Sequence, residues 1–599
     1  MKKAVPARLL LVALTCLASL SALAQGAPNP APIAVNTLAV DQIRPGMRGV
    51  AYNVFEGTKP EPMEVEVLGV LKNLNGPKGD LIVVRLHGAK AEYTGVVSGM
   101  SGSPVYIEGK LVGALSYRLA VFAKEAVAGV TPIADMLEIN ELDRSHPPSV
   151  PAPARASQEA TAAAVAPQPE LRGYAQQLTP IETPLVFSGF SEEAVRRFAP
   201  QFAAAGIAPM MGAGSASSQP QPEPLEPGSA VSAVLVQGDM NIAATCSVTY
   251  VDPERLLACG HPLFQFGAVD LPMTKATVLA TLPSSYASFK IINTTEPVGS
   301  FVQDRHTGIL GRFGRNARMI PVTVNVRGGT RSKQFHFEVL NHAKFTPLAM
   351  MITVFNALQG VNDFGQEASF RLRGKIGVEG YPEVGLENMY APADGMAPTA
   401  LLVALGLGDR FSRIFDNPYN TPAIQGVELD FDLVQERRWA RLESARTDVT
   451  EAHPGDRITV EAVLRPYRGE RMVRQVPVVI PASAPRGTLR ILVSDGETLD
   501  RTRRFFGMAH RRLDLGATIA SLNQEHSNSR LYVSLLQPGP QALLEDKVMP
   551  TLPLSVLNVL DPLRNSQEML LTPESAVGET SIALDSVVSG AQVITITIK

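Results

Sequence analysis

The most informative stretch of the sequence is Gly99-Met100-Ser101-Gly102-Ser103-Pro104. A serine on a tight, glycine-flanked turn exposes its Oγ for nucleophilic attack, and the same turn can aim backbone N–H groups at a developing oxyanion. The amides of Gly99 and Ser101 are the predicted oxyanion hole. Apolar strand patterns lie on both sides of Glu108-Gly109-Lys110, which favours a tight hairpin directly after the serine. The alternative is a glycine- and serine-rich turn that only joins two strands.

A nucleophilic serine needs a base, and His261 is the strongest candidate among the nine histidines. It ends an apolar strand, and Gly260 and Pro262 restrict the turn around it. This restriction matters because a base has to stay within hydrogen-bond reach of the serine Oγ. If His261 is the base, activity should rise through a pKa of about 6.5, the ordinary value for histidine. A structural histidine that caps a turn is the alternative.

These motifs resemble the SpoIVB peptidase family. The serine stretch resembles the family's G-M-S-G-S-P motif, and residues 245–261 resemble its histidine motif, G-T-x-T-Y-x-D-P…A-x-G-H. With two further similar segments, the resemblance covers roughly residues 44–137 and 231–328. It implies a trypsin-like double β-barrel in which Ser101 is the nucleophile and His261 is the base.

Three features depart from the family pattern. The serine half precedes the histidine half, which is permissible because a triad is defined by geometry rather than by chain order. Cys246 stands where the family usually has glycine or another small residue. Residues 85–90, which correspond to the family's acidic position, contain no carboxylate. The acid that orients the histidine therefore comes from elsewhere or is missing.

Asp304 is the first choice for that acid, because it lies in the same half of the predicted barrel as His261. Asp270 and Asp80 are alternatives. A surface pair between Asp304 and the neighbouring Arg305 is the simpler explanation for this aspartate.

The rest of the chain indicates a mainly β protein of several domains, because 599 residues are too many for one core. Two stretches rich in alanine, proline or glycine, 148–169 and 205–230, are predicted linkers around a short ordered island. The double barrel is then assembled from two separated half-barrels. The predicted units are a signal peptide (1–24), a serine-bearing half (35–143), linkers with an island (148–230), a histidine-bearing half (231–341), an α+β connecting region (342–438) and a C-terminal β-sandwich-like region (439–599).

Apolar periodicity predicts individual elements within these units. The predicted strands are 63–71, 80–86, 104–107, 111–117, 184–187, 368–376, 427–434, 458–463, 476–480, 488–493 and 593–598. The predicted helices are 192–202, 347–358 and 398–415.

The N-terminus has the composition of a secretory signal. Basic residues precede an apolar run at 9–20, and Ala22-Leu23-Ala24 is a small-x-small cleavage site. We therefore expect an exported protein of the periplasm or cell envelope. An uncleaved anchor helix and a lipidated Cys16 are weaker alternatives.

Removal of the signal leaves Cys246 and Cys259, which can form one disulfide in an exported chain. Two strands around Asp252-Pro253-Glu254 place the cysteines opposite each other if residues 251 and 254 pair. If 252 instead lies opposite 255, Cys246 faces His261. Two buried free thiols are the remaining alternative.

Composition narrows the classes of function. The net charge is −3 and there is no basic block, which argues against a nucleic-acid partner. Neither a zinc-binding spacing nor a phosphate loop occurs, so no metal or other cofactor is predicted. The sequence thus predicts an exported serine endopeptidase that acts on envelope or secreted proteins.

An inactive peptidase-like scaffold or peptide-binding protein with cell-envelope partners is the main alternative, and the missing acid favours it. A surface adhesion role for the C-terminal region rests on fold analogy alone.

Overall fold

The computed structural model describes residues 36–119, 125–145, 177–204, 208–212, 221–284, 288–328, 331–361, 367–392, 397–505, 513–544, 547–549, 552–565 and 569–599. The predicted signal peptide and the predicted linker at 148–169 lie outside these ranges. The fold is mainly β, with 51% strand and 17% helix, as the sequence predicts. None of the helices in the described ranges has the length and hydropathy needed to cross a bilayer.

The strands are numbered β1 to β30 and the α-helices α1 to α8. The strands are, in order, Arg48–Asn53, Glu61–Leu71, Leu81–His87, Pro104–Ile107, Lys110–Leu119, Val127–Pro132, Leu178–Pro180, Pro184–Ser188, Ala208–Met211, Ala230–Gly238, Asn241–Val251, Arg255–Ala258, Gly267–Leu282, Phe289–Arg305, Gly308–Phe313, Met319–Gly328, Arg331–Leu340, Ser369–Val378, Val384–Tyr390, Ile424–Val434, Trp439–Thr447, Glu451–Ala452, Arg457–Pro466, Met472–Val479, Gly487–Ser494, Arg530–Leu544, Lys547–Met549, Met569–Ala583, Val587–Ser589 and Ala591–Ile598. The helices are Ala89–Thr94, Ile133–Leu137, Glu192–Ala204, Phe345–Gln359, Thr399–Phe415, Gly496–Phe505, Leu515–Asn523 and Leu554–Asn565, and a short 3₁₀ helix covers Val40–Gln42.

The first barrel consists of β1 to β6 in the order β4-β1-β2-β3-β6-β5, and pairing of β4 with β5 closes the ring. Alternation along β2 places Met63, Val65 and Val67 in its apolar core. The hairpin predicted after the serine joins β4 to β5. Its two central residues, Glu108 and Gly109, both have positive φ, which matches the twist of the flanking strands.

The second barrel consists of β10 to β15 in the order β10-β13-β14-β15-β12-β11, and pairing of β10 with β11 closes it. Each barrel is therefore a complete ring rather than half of one. The two rings together agree with the predicted double-barrel fold, with the serine-bearing barrel first in the chain.

The sheet of the second barrel continues beyond the ring, to β17, β16, β20, β18 and β19 on one side and to β8 and β9 on the other. Its extension crosses the boundary predicted at 341/342, because β16 and β20 pair in parallel. Helices α4 and α5 belong to the same apolar core. Residues 342–438 thus combine helices and strands, and their strands extend the sheet of the second barrel.

The predicted island is ordered and joins this sheet. Strand β8 pairs with β11, and α3 follows it, close to the predicted strand and helix. The linker predicted at 205–230 is described only at 208–212 and 221–230, and one part of it is a strand. Residues 208–211 form β9, which pairs in parallel with β8 and extends the sheet edge.

The C-terminal region is a sandwich of two sheets. One has the order β24-β23-β21-β29, and the other has the order β22-β30-β25-β26-β27 with β28 beside β26. Alternation along β23 directs Ile458, Val460 and Leu464 toward an apolar core. Ile491 and Val533 of the other sheet pack into the same core. Shared burial between the two faces is typical of a β-sandwich.

The two barrels pack directly against each other. An apolar cluster between them combines residues of β5 and α2 with residues of β12, β14 and β15; its buried members are Leu111, Ala114, Ile133, Met136, Ile139, Leu257, Val302 and Leu310. Polar contacts reinforce the seam, since Arg312 of the second barrel pairs with Glu141 at 2.8 Å. The predicted contact between barrels is therefore present.

Cys246 and Cys259 form a disulfide between β11 and the turn after β12. The predicted pairing of residues 251 and 254 is wrong: Val251 pairs with Leu256, and Asp252 donates its amide to the carbonyl of Arg255. This is the alternative turn. A bulge between Val248 and Tyr250 then shifts the register. Because of this shift, Cys246 approaches Cys259 instead of facing His261.

We expect the double variant Cys246→Ala/Cys259→Ala to lose about 3 kcal/mol of unfolding free energy, the chain-entropy value for a loop of this size. Urea unfolding of oxidised wild type and of the variant measures the difference. Adding a thiol reductant should lower the unfolding free energy of the wild type and leave that of the double variant unchanged. Equal transitions for oxidised and reduced wild type would contradict the expectation, as would two freely alkylated cysteines.

Candidate active site

The serine turn lies between α1 and β4 and depends on two glycines with left-handed backbone angles. Gly99 has φ +97° and Gly102 has φ +92°. A Cβ on Gly102 would lie 2.0 Å from the carbonyl oxygen of Ser247 and 2.5 Å from the amide nitrogen of Cys259. Glycine is therefore required at 102 both by the backbone angle and by the close approach of the second barrel.

The backbone amides of the turn divide into used and unused donors. Met100 donates to the carbonyl of Val97 at 3.0 Å, and Gly102 donates to the carbonyl of Leu115 at 2.7 Å. Within the described part of the chain, the amides of Gly99 and Ser101 donate to no backbone carbonyl. These are the two amides predicted as the oxyanion hole.

His261 lies in the turn that follows β12, and it is only 4% exposed. Its Nδ1 lies 2.8 Å from the carbonyl oxygen of Pro262. A carbonyl can only accept, so Nδ1 carries the proton and the neutral ring has its lone pair on Nε2. Burial lowers the pKa of His261, and the backbone carbonyls of Pro262 and Ile181 partly oppose this effect. The neutral, proton-accepting form is therefore favoured.

Ser247 on β11 connects the two turns through its backbone. Its amide donates to the carbonyl of Ser101 at 2.7 Å, and its own carbonyl accepts from the amide of Cys259 at 3.2 Å. On the other side of the histidine turn, Thr131 of the first barrel donates its hydroxyl to the carbonyl of Gly260 at 2.7 Å. The structure thus brings Ser101 and His261 to the same seam between the barrels.

Ser101 Oγ and His261 Nε2 are both buried, and the Ile181 carbonyl lies close enough to the imidazole to raise its pKa. Within the described residues neither atom has a hydrogen-bond partner, and the two atoms do not bond to each other. The segment before β8 lies over this region: Ile181 is buried and donates its amide to Ser116, and Pro184 packs near Gly99. The site is closed to bulk solvent in this conformation.

Asp304, the predicted orienting acid, makes a different set of contacts. Its two carboxylate oxygens accept the amides of Leu263 and Phe264, each at 2.8 Å, and the amide of Phe266 at 3.4 Å. Asp304 therefore fixes the loop that follows His261 instead of contacting the imidazole. Burial raises the pKa of Asp304 to about 6, against the lowering effect of these amides.

The two alternative acids also have other partners. Asp270 pairs with Arg315 at 3.3 Å, and Asp80 pairs with Lys72 at 2.6 Å. Across the described ranges, no carboxylate forms an ion pair or hydrogen bond with His261. The Pro262 carbonyl is the group that orients the ring.

A buried polar cluster beside the serine turn was not predicted from the sequence. Lys290 of β14 donates from Nζ to Asn53 Oδ1 at 2.7 Å and to the carbonyl of Gly99 at 3.2 Å. Asn53 Oδ1 also accepts the hydroxyls of Ser103 and Ser247, each at 3.3 Å. A lysine within the apolar stretch Phe289-Lys290-Ile291-Ile292 is the only local signal, and it does not identify the partners.

Metal ligation is not supported by the described residues, which contain no group of three or more His, Cys, Asp or Glu arranged to hold an ion.

Residues 23–137 match the family model described as SpoIVB peptidase S55. The resemblance to this serine peptidase family is confirmed over that segment, which contains Ser101 and the first barrel. The segment with His261 lies outside the match. No curated protein matches the chain, and no solved structure does.

The raised pKa of Asp304 has a consequence for stability. The folded protein keeps the Asp304 proton up to about pH 6, whereas the unfolded chain loses it near about pH 3.9. The contribution of Asp304 to the free energy of unfolding is therefore fully present below its pKa in the unfolded chain. It is lost as pH rises through its pKa in the folded protein. We expect the stability of wild type relative to Asp304→Asn to fall by up to about 3 kcal/mol between about pH 4 and 7.

Urea unfolding across this pH range measures that difference. Asp143→Asn is the control, because the amide and hydroxyl of Ser145 lower the pKa of Asp143, so its relative stability should change in the opposite direction. A difference between wild type and Asp304→Asn that stays constant with pH would contradict the expectation.

Proposed function

We propose that this protein is a serine endopeptidase in which Ser101 attacks the substrate carbonyl and His261 accepts the serine proton. The family match over residues 23–137 supports a serine peptidase. The observation that carries the assignment of His261 is the seam: Ser101 Oγ and His261 Nε2 are buried, unpartnered atoms on two turns that both bond to Ser247.

The proposed reaction follows from the roles of these groups. Ser101 Oγ bonds to the carbonyl carbon while its proton passes to His261 Nε2, and the amides of Gly99 and Ser101 bind the resulting oxyanion. The imidazolium then gives its proton to the leaving amine, which departs from the acyl-enzyme. Water then attacks the acyl carbon while His261 takes its proton, and the imidazolium passes that proton to Ser101 Oγ as the acyl bond breaks and the acid product leaves.

Orientation of His261 by a carbonyl has a cost for this reaction. The Pro262 carbonyl fixes the tautomer as well as a carboxylate would, but it carries only a partial charge. It therefore stabilises the imidazolium less than the aspartate of a complete triad does. We propose slow turnover and a restricted substrate range, since the closed segment before β8 must also move to admit a peptide.

We propose further that the protein is exported and acts on proteins of the cell envelope. The N-terminal composition and the disulfide between Cys246 and Cys259 support export, because such bonds persist in oxidising compartments.

A non-catalytic scaffold is the second candidate function. The observation that favours it is the absence, in the described ranges, of a carboxylate at His261, together with the complete burial of Ser101. A protein of this kind would keep the barrel and bind peptides without cleaving them.

A small fluorophosphonate separates the two functions, because it phosphonylates an activated serine with loss of fluoride. We expect wild type to be labelled, Ser101→Ala to lose all labelling, and His261→Ala to be labelled at least about a hundred-fold more slowly, as for loss of a general base. Mass spectrometry of the labelled peptide identifies the site.

Ser98→Ala is the matched control, since Ser98 lies in the same loop and its amide bonds to Ser288. This variant should be labelled at the wild-type rate. Folded wild type that resists the probe would favour the scaffold.

The pH dependence of labelling tests the role of His261. Only the neutral imidazole accepts a proton, so the labelling rate should rise with pH through the pKa of His261. Because burial lowers that pKa, the midpoint should lie below the ordinary value of about 6.5. A stopped-flow or quenched labelling series measures it, and a rate without this rising limb would argue against His261 as the base.

A further inference from the structure

Lys290 is a buried cation that the serine–histidine chemistry described above does not use. Its side chain is 1% exposed and ends at the serine turn, where an added Cβ on Gly99 would lie 3.3 Å from Lys290 Cδ. In the part of the chain that the structure describes, no acidic side chain forms an ion pair with it. Its two acceptors, Asn53 Oδ1 and the Gly99 carbonyl, are neutral.

An unpaired buried ammonium is unfavourable for folding. Transfer of a charge from water to the interior costs free energy that neutral acceptors repay only in part. An apolar side chain of similar volume would fill the same space without this cost. Stability alone therefore gives no reason for a lysine here, and its contacts indicate what else it does.

Those contacts hold both ends of the serine turn. The ammonium binds the carbonyl of Gly99 directly, which fixes the peptide plane that follows Gly99. Through Asn53, the same ammonium is linked to the hydroxyl of Ser103 at the other end of the turn. The unused amide of Ser101 lies between these anchors, and that of Gly99 directly precedes the first of them.

We infer that Lys290 is a positioning residue for the oxyanion hole of the proposed peptidase. Its ammonium holds the Gly99–Ser101 turn in the shape that presents both amides to an oxyanion. Its positive charge also stabilises the negative charge that develops there, in an interior where such interactions are strong. This inference rests on the proposed function.

The geometry favours this role over that of a serine-activating base. Lys290 Nζ donates to two carbonyl-type oxygens, so it carries hydrogens toward both, whereas Ser101 Oγ has no partner among the described residues. A base would have to accept the proton of Ser101. His261 Nε2, which has a free lone pair, is better suited to that step.

Loss of the Lys290 proton should change the pH dependence of the labelling rate, and this change tests the positioning role. Burial lowers the pKa of Lys290 to about 7. The groups that contact the ammonium from the first barrel, the serine turn and the second barrel are Asn53 and the Gly99 carbonyl, with Ser247 joined to Asn53. None of them titrates near neutral pH. The labelling rate should therefore fall as pH rises through about 7, after the rising limb of His261.

The test compares Lys290→Met and Lys290→Arg with Lys275→Met. Lys275 lies on the adjacent strand β13, and its ammonium binds Glu296 and the carbonyls of Gln221 and Glu223, away from the serine turn. Fluorophosphonate labelling rates are measured from about pH 5 to 9, which spans both titrations. Thermal unfolding of each variant is measured in parallel.

We expect Lys290→Met to be labelled about ten-fold to a hundred-fold more slowly, to lose the falling limb, and to unfold at the wild-type temperature or above it. Lys290→Arg should recover part of the rate without a falling limb, because guanidinium stays charged. Lys275→Met should show the reverse pattern: an unchanged rate and a lower unfolding temperature.

Two results would overturn the inference while leaving the proposed function intact. One is an unchanged labelling rate and pH profile in Lys290→Met. The other is a loss of labelling that follows a fall in unfolding temperature, which would make Lys290 a structural residue. Folded wild type that takes up no probe would overturn the proposed function and this inference with it.

Discussion

The hydrogen bond from the Ser247 amide to the Ser101 carbonyl joins the two barrels at the seam that contains Ser101 and His261. The Ser247 carbonyl, on the same strand, accepts the amide of Cys259 and so sets the position of the histidine turn. Both bonds involve backbone atoms only, and they require Gly102, because a Cβ there would collide with the same carbonyl. The separation of Ser101 from His261 is therefore determined by barrel packing and not by a side-chain contact between them.

Local patterns were sufficient to predict much of this arrangement. Alternation along β2 and β23 gave the strands, because burial of one face requires that period. The hairpin at Glu108 and Gly109 followed from turn chemistry, and the disulfide followed from two short strands and a single turn. The register predicted for these two strands was wrong, because the chain forms the alternative turn. The bulge near Thr249 shifts the register again and still brings the two cysteines together. Bulges of one residue leave little trace in a single sequence.

Features that depend on distant residues were not predictable in the same way. The parallel pairing of β16 with β20 joins segments about a hundred residues apart. Nothing in the sequence near residues 341 and 342 indicates this pairing, so a domain boundary was expected there. Asp304 looked like an acid for His261, but the amides of the loop at 263–266 take both of its oxygens. Lys290 and Asn53 are 237 residues apart in sequence, and only the closed fold shows their contact.

The order of the two barrels in the chain determines when the proposed site can form during synthesis. A ribosome completes the serine-bearing barrel, β1 to β6, before it makes the segments that contain His261 and Lys290. At that stage the serine turn lacks Ser247, His261 and Lys290, so under the proposed mechanism a nascent or truncated chain has no base for Ser101. The proposed site can therefore form only after β10 to β15 have been made and have closed into the second barrel.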